Sequence, residues 1–474
     1  MPPPEGLESL AARARHELLQ LQFPTPNWVP PTLGPEGRPL LDVLVVGGGM
    51  CGQAALFALM REGVRNVRCV DRAPRGREGP WTTYARMQTL RSPKQLTGPD
   101  LGVAALTYRA WHEAKFGIDD WEALGKVPRL YWAEYLLWVR DTAGLPVENG
   151  IDVVSLELAG GALRATLRSG EAIHARKVVL ALGRDGSGAP RWPRFADYNP
   201  AKGDGRVFHS ADDIDFSSLR DKRVGVLGAG ASGFDNAGEA LEAGAAQVTM
   251  FARRRILPQV NKSKWASFAG FQNGFFALPD AERWRFFTYI FAEQVPPPWE
   301  SVLRCERHAG FSLRLDEGWN DIVPEAGDVR VLTGKGEHRF DALIVATGFD
   351  VNLLERGEIA SFRDAVRTWR ERVPAAEAEM FPEEARFPYL GDAFQLQGNA
   401  PDLARVHIFN WGCTMSHGAL GGDIPGIELG AQRLAQGAAR DLFVEDSQRH
   451  WQALLAHSED ELKPTRYWVP PERR

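Results

Sequence analysis

Apolar positions along the chain follow two periods that alternate. Val43-Leu44-Val45-Val46 is a short, Val-rich run of strand length, and the apolar stretch Gln53 to Arg61 follows it at helical length. Val67 to Val70 is strand-like again. The same order returns in Arg223 to Leu227, Phe234 to Ala243 and Gln247 to Phe251. Two further buried strands are expected at Lys177–Gly183 and Phe340–Val345. Residues 151–180 alternate apolar and polar, with Gly160-Gly161 and Ser169-Gly170 as turns, and predict an antiparallel hairpin or meander. Helices are expected over residues 5–23, 131–140 and 428–439, a proline-rich linker over Pro24–Pro39, and loops over 72–130. Strands alternating with helices predict an α/β fold built on parallel sheets.

Glycines sit where each strand hands over to its helix. The first copy reads Gly47-x-Gly49-x-x-Gly52 and the second Gly228-x-Gly230-x-x-Gly233. In a dinucleotide fingerprint the first glycine permits the turn, the second admits a pyrophosphate, and the third lets helix and strand pack; the helix N-terminus offers free N–H groups. The competing reading is a glycine-rich turn without ligand. Two copies with correct flanks predict two Rossmann-like dinucleotide sites. They differ 24 residues past the leading glycine: Asp71 in the first, Ala252 followed by Arg253-Arg254-Arg255 in the second. An acid there binds ribose hydroxyls, whereas arginines accommodate a 2′-phosphate. The first site therefore suits FAD, through Gly47, Gly49, Met50, Cys51, Gly52, Asp71 and Arg72. The second suits NADPH, through Gly228, Gly230, Ala231, Ser232, Gly233, Arg253 and Arg254. A solvated basic turn is the alternative for the arginines.

Composition narrows the picture. A chain of 474 residues allows two or three domains, and a net charge of −5 argues against a nucleic-acid partner. No apolar run reaches the length of a membrane span, and Met1 to Glu5 lacks the basic and apolar regions of a signal peptide. Cys51, Cys69, Cys305 and Cys413 are scattered, which suggests a reducing, cytoplasmic setting and excludes a CxxC relay. Aromatic residues crowd Leu257–Asp328 and the stretch Trp81 to Trp121. The insert is read as a small helical cap or the wall of a substrate channel, and the two stretches together as walls of a dry cleft. Gly418 to Gly426, which contains Asp423, precedes a helix, and this turn is read either as an approach to a flavin ring or as a plain helix start. His407 and His417 lack metal-ligand spacing with any cysteine or carboxylate pair, so no metal is expected.

The ordered set Gly47-x-Gly49-x-x-Gly52, Ala181-Leu182-Gly183 with Pro190 and Pro193, Gly228-x-Gly230-x-x-Gly233 and Ala346-Thr347-Gly348-Phe349-Asp350 resembles the class B flavoprotein monooxygenases. That superfamily includes flavin-containing monooxygenases, Baeyer–Villiger enzymes and amine N-hydroxylases. The resemblance implies an FAD domain at 41–205 and 340–474, interrupted by an NADPH domain at 206–339 carrying the insert 257–328, after an N-terminal helix and linker at 1–40. Thr347 and Gly348 would lie in the segment that returns the chain to the FAD half. It implies transfer of one oxygen atom from O2, through a flavin C4a-(hydro)peroxide, to a small organic substrate, with a homodimer allowed and no nucleic-acid or membrane partner. The family signature FxGxxxHxxx(W/Y) is matched only in its glycine and in His209. Asp213 stands where the Baeyer–Villiger form has an aromatic, which favours hydroxylation of an amine or other heteroatom over ketone oxidation; His209 is expected as a satisfied structural histidine, or a hinge or domain-interface residue, rather than a proton-transfer group. A reductase without oxygen transfer is the third reading. Arg91, with Ser92 and Lys94, lies where relatives contact flavin or substrate. His417 is the histidine expected nearest the flavin pocket, and Asn261 and Lys262 are further candidates for the nicotinamide nucleotide.

Overall fold

The computed structural model describes residues 5–34, 37–95, 98–462 and 464–470; Met1 to Pro4 lie outside them. The first sheet holds β1 (Leu41–Val46), β2 (Val67–Asp71), β3 (Val147–Asn149), β4 (Val153–Leu158), β5 (Leu163–Leu167) and β6 (Ala172–Leu180) in the order β3-β2-β1-β6-β5-β4. β3, β2, β1 and β6 run parallel, and β4 and β5 form the expected antiparallel meander. Strand β6 is long enough to serve two neighbours on one edge. Its first half pairs with β5.

Strand β7 (Val207–His209) opens the second sheet, followed by β8 (Arg223–Leu227), β9 (Gln247–Ala252) and β10 (Phe311–Leu315). Three antiparallel strands, β11 (Trp319–Pro324), β12 (Val329–Thr333) and β13 (Gly336–Phe340), form a separate small sheet. The second sheet closes with β14 (Ala342–Val345) in the parallel order β10-β9-β8-β14-β7. Late in the chain, β15 (Val406–Ile408) returns to the last three residues of β6, Val178 to Leu180.

Three expectations change. The strand β14, placed with the FAD half, lies between β7 and β8 of the second sheet, so that domain ends near residue 346 rather than 339; an apolar run buried on both faces fits a central position. The insert 257–328 is helical only to Glu306, because β10 and β11 belong to sheets of the second half. Helices Tyr108–Phe116 and Ile118–Ala123 occupy a stretch read as loop, started by the Thr107 side chain and broken at Gly117, φ +95°. Their aromatics are core rather than cleft: Tyr108, Trp111 and Trp121 are buried with Trp132 and Tyr135 of helix Arg129–Thr142, and Tyr108 is edge-on to Tyr135 at 5.3 Å. They therefore share no wall with the insert.

The two halves are joined by two crossing linkers that are bonded to each other. Arg191 N–H donates to the Gly348 carbonyl at 2.8 Å, Asp350 N–H to that of Ala189 at 2.9 Å, and the Arg191 guanidinium meets Asp350 at 2.6 Å. Thr347 Oγ1 donates to the Arg191 carbonyl. His209 is buried beside this crossing, between Trp192 and Phe349. Among the described residues no helix is long and apolar enough to cross a membrane, and no group of three or more His, Cys, Asp or Glu is disposed to hold a metal.

Candidate functional site

The two fingerprints fold alike because the same atoms crowd the same glycines. Gly47 has φ +103° and Gly228 +106°. A Cβ on Gly47 would meet the Ala181 carbonyl at 2.5 Å, and one on Gly228 the Ala346 carbonyl at 2.4 Å. A Cβ on Gly52 would lie 1.7 Å from the Gly47 carbonyl, and one on Gly233 2.0 Å from that of Gly228. The middle glycines differ in kind. A Cβ on Gly49 would find protein no nearer than 3.7 Å, and one on Gly230 nothing within 4 Å. Gly49 and Gly230 are the N-caps of helices Met50–Arg61 and Ala231–Glu242, in extended conformation, with no side chain capping either helix. Each site thus offers uncapped N–H groups and room beside them, which fits a pyrophosphate.

Asp71 closes the first site. Its Oδ2 accepts the Gly48 N–H and its Oδ1 the Ala73 N–H, both at 2.7 Å, which leaves a lone pair on each oxygen for ribose hydroxyls. Burial raises its pKa while these two N–H groups pull it down. Arg72 is exposed and 3.6 Å from Asp185. In the second site Arg255 pairs with Asp316 at 3.6 Å, but no carboxylate among the described residues lies within ion-pair distance of Arg253 or Arg254. These residues fit FAD and NADPH respectively.

Between the halves lies a charged cleft. The Arg184 guanidinium covers the Trp411 ring at 4.2 Å. Burial lowers the pKa of Arg184 against the opposing pull of Asp423, and burial raises that of Asp423 against Arg184 and Arg91. Arg91 is solvent-accessible but stands among these charges, with its guanidinium donating to the Pro296 carbonyl at 3.2 Å. The Asp423 carboxylate accepts no hydrogen bond from any described residue.

Trp411 and Asp423 also line a concave chamber. One wall is the turn His417 to Gly426; the other is the aromatic insert, through Phe271, Phe287 and Phe291, with Ser263, Ser267 and Gln272 as its polar points. Cys51 of the first fingerprint helix donates to the Gly421 carbonyl at 3.4 Å and so ties the flavin site to this turn.

Two candidates from the sequence take other roles. Lys94 lies against the Trp121 ring and donates to the Trp121 carbonyl, away from the chamber wall. His417 lines the chamber but cannot carry a proton through it. Its Nε2–H donates to the Gly391 carbonyl at 2.8 Å and its Nδ1 accepts from Arg433 at 3.3 Å. Its faces are stacked on Phe276 and Phe394, and burial pushes its pKa down to about 3. Asn261 caps helix Lys262–Trp265 through the Lys264 N–H, and Lys262 lies over the Tyr289 ring. Asp213 is exposed near Arg77 at 3.9 Å, with no aromatic in its place. Sequence reasoning missed Arg184, Trp411 and Arg433. Arg184 lies four residues past the C-terminal end of the central strand β6, where open α/β sheets bind ligands, and that rule was the available signal.

Comparison with known proteins agrees with this geometry. A family model described as FAD-NAD(P)-binding matches residues 44–185, and one described as L-lysine 6-monooxygenase/L-ornithine 5-monooxygenase matches 123–290. The chain is 40% identical over 466 residues to a FAD-dependent urate hydroxylase of Xanthomonas campestris pv. campestris, covering 96% of this chain and 97% of the relative. Its fold is similar to that of ornithine hydroxylase from Pseudomonas aeruginosa (TM-score 0.66, 18% identity, 85% of this chain and 100% of that one) and of ornithine N-hydroxylase from Kutzneria sp. 744 (0.66, 15%, 85% and 100%). With two nucleotide sites, an interrupted flavin domain and a near-full-length relative, the chain belongs to the class B flavoprotein monooxygenases and is an FAD- and NADPH-dependent oxidoreductase.

Proposed function

We propose that the chain hydroxylates a flat nitrogen heterocycle of the urate type. Substrate, O2, NADPH and one proton give hydroxylated substrate, NADP⁺ and water. The observation that carries this reading is the chamber lining: Phe271, Phe287, Phe291 and Trp411 supply aromatic rings, with Ser263, Ser267, Gln272 and Asp423 as polar points among them. Such walls suit a planar ring better than a flexible zwitterion. The near-full-length urate hydroxylase relative supports the same substrate class. Bound FAD supplies the hydride acceptor and the oxygen-activating centre. The chain's residues hold the cofactors, orient the ring against the turn His417 to Gly426, and keep water out of the chamber.

A second reading is N-hydroxylation of an amine. It is favoured by the Asp423 carboxylate in the chamber wall, which accepts no hydrogen bond from any described residue and could take an ammonium group, and by the lysine/ornithine monooxygenase match. One experiment separates them. Holoenzyme is incubated with NADPH and ¹⁸O2 beside urate, ornithine, lysine or cadaverine, and products are weighed. Label in urate supports the first reading, label in an amine supports the second, and label in neither, with NADPH consumed throughout, overturns both.

A further inference from the structure

The second part of the aromatic insert is fixed to the flavin half: Arg283 of helix Asp280–Glu293 donates to the Ser416 carbonyl at 3.2 Å, and Asp280 pairs with Arg372 at 2.7 Å. The segment Gln272 to Phe276, before that helix, makes three contacts across the chamber. The Arg433 guanidinium, from helix Ile427–Glu445, donates to the backbone carbonyls of Gln272 and Asn273, each at 3.3 Å. These carbonyls belong to the last turn of helix Ala269–Gly274, where acceptors lack intrahelical donors. Gln272 Nε2 donates to the Pro425 carbonyl at 3.2 Å. The Phe276 ring stacks on His417 at 4.5 Å and 11°, and His417 in turn accepts from Arg433.

The first part of the insert, before Ala269, is more exposed and makes no hydrogen bond to the flavin half among the described residues. Trp265 and Phe268 are 59% and 50% exposed, and neighbouring Ile256 and Val260 are exposed as well. Yet Ser263, Ala266 and Ser267, between these residues, line the same chamber. One rim of the chamber is therefore pinned and the opposite rim is not.

The pin is a charge with no counter-charge. Arg433 has no carboxylate within ion-pair distance among the described residues, and burial lowers its pKa. A half-buried guanidinium held only by carbonyls and a neutral imidazole is costly unless each donor is satisfied, so its geometry is specified.

We propose that Arg433 is a positioning residue that pins residues 257–276 of the aromatic insert as a hinged cover, with the pivot at 272–276 and the substrate entrance beneath 263–268. His417 transmits the same pin to the turn that forms the opposite wall. The proposal rests on placing oxygen transfer in this chamber, and the test separates the two claims.

Backbone hydrogen–deuterium exchange is measured on FAD-loaded protein without NADPH or substrate, for Arg433→Met, Arg433→Lys and, as a variant that buries no new charge, Phe276→Leu. Exchange over 269–276 rises at least tenfold in Arg433→Met, less in Phe276→Leu, and returns toward wild type in Arg433→Lys. Hydrogen peroxide per NADPH, measured with the substrate identified by isotope labelling, rises in the same order. Unchanged exchange in both Arg433→Met and Phe276→Leu overturns the pin. Raised exchange with unchanged peroxide yield supports the pin and overturns the placement of the chemistry in this chamber.

Discussion

The guanidinium of Arg184 lies 4.2 Å above the ring of Trp411, and the same ring forms part of the chamber wall. A cation fixed on an aromatic face where flavin cleft and substrate chamber meet is placed to hold an anionic or electron-rich group. A lysine keeps the charge but loses the planar stack. Arg184→Lys is expected to weaken FAD binding about tenfold and Arg184→Ala by more, read by flavin fluorescence titration of apo-protein; equal affinity in all three proteins contradicts this.

The fingerprint glycines are expected to fail in different ways. Gly49→Val should fold, with native far-ultraviolet circular dichroism, yet stay colourless, because its side chain enters only ligand space. Gly52→Ala should not accumulate as folded protein, because its Cβ would sit 1.7 Å from the Gly47 carbonyl. A yellow Gly49→Val removes the pyrophosphate assignment.

Nucleotide preference should follow the arginines without partners. Arg253→Ala or Arg254→Ala is expected to raise the KM for NADPH about 10- to 100-fold, the equivalent of roughly 1.5–3 kcal/mol for a charge-assisted phosphate contact, with little change for NADH. Arg255→Ala should do less, since Arg255 already pairs with Asp316. Initial rates with both nucleotides decide it.

Acid should destabilise the fold through His407. This buried ring donates Nδ1–H to the Ala393 carbonyl at 2.7 Å, and burial, helped by Lys177, pushes its pKa to about 4. The folded value lies below the unfolded one near 6.5, so the unfolded chain takes the proton first. Stability from this group is complete above pH 6.5 and is lost as pH falls toward 4, by about 3 kcal/mol. His417 adds to the same window. Urea midpoints should fall between pH 7 and pH 5, and His407→Gln should flatten that slope.

Asp42 has the opposite sign. Burial lifts its pKa from 3.8 to about 6, despite Arg176 at 3.8 Å. The native state therefore favours its protonated form, and its contribution is lost as pH rises through 6. Asp42→Asn is expected to raise stability above pH 7 by up to about 3 kcal/mol and to change nothing below pH 4. Thermal melts at pH 8 and pH 4 check the difference.

Both nucleotide sites were legible because backbone sterics there admit only glycine, and strand, turn and helix are local in sequence. The meander at 151–180 was legible for the same reason. Membership of β14 was not, since an apolar run does not say which sheet it enters. Nor was the role of His417, which depends on Phe276, Phe394, Gly391 and Arg433, all brought to it by the fold. Lys94 looked functional by neighbourhood alone, and Trp121, 27 residues away, claimed it.

The pairing of β15 with β6, and the packing of helix Ile427–Glu445 on helix Met50–Arg61, set a schedule for biosynthesis. The NADPH half is contiguous, from β7 to β14, and has its whole sheet once residue 345 has left the ribosome. The flavin half, begun first, waits with an exposed strand edge and a bare helix face until the final segment is translated. The nascent chain thus carries a finished domain in the middle of an unfinished one, and a ribosome stalled late would release a product that grips nucleotide but not flavin.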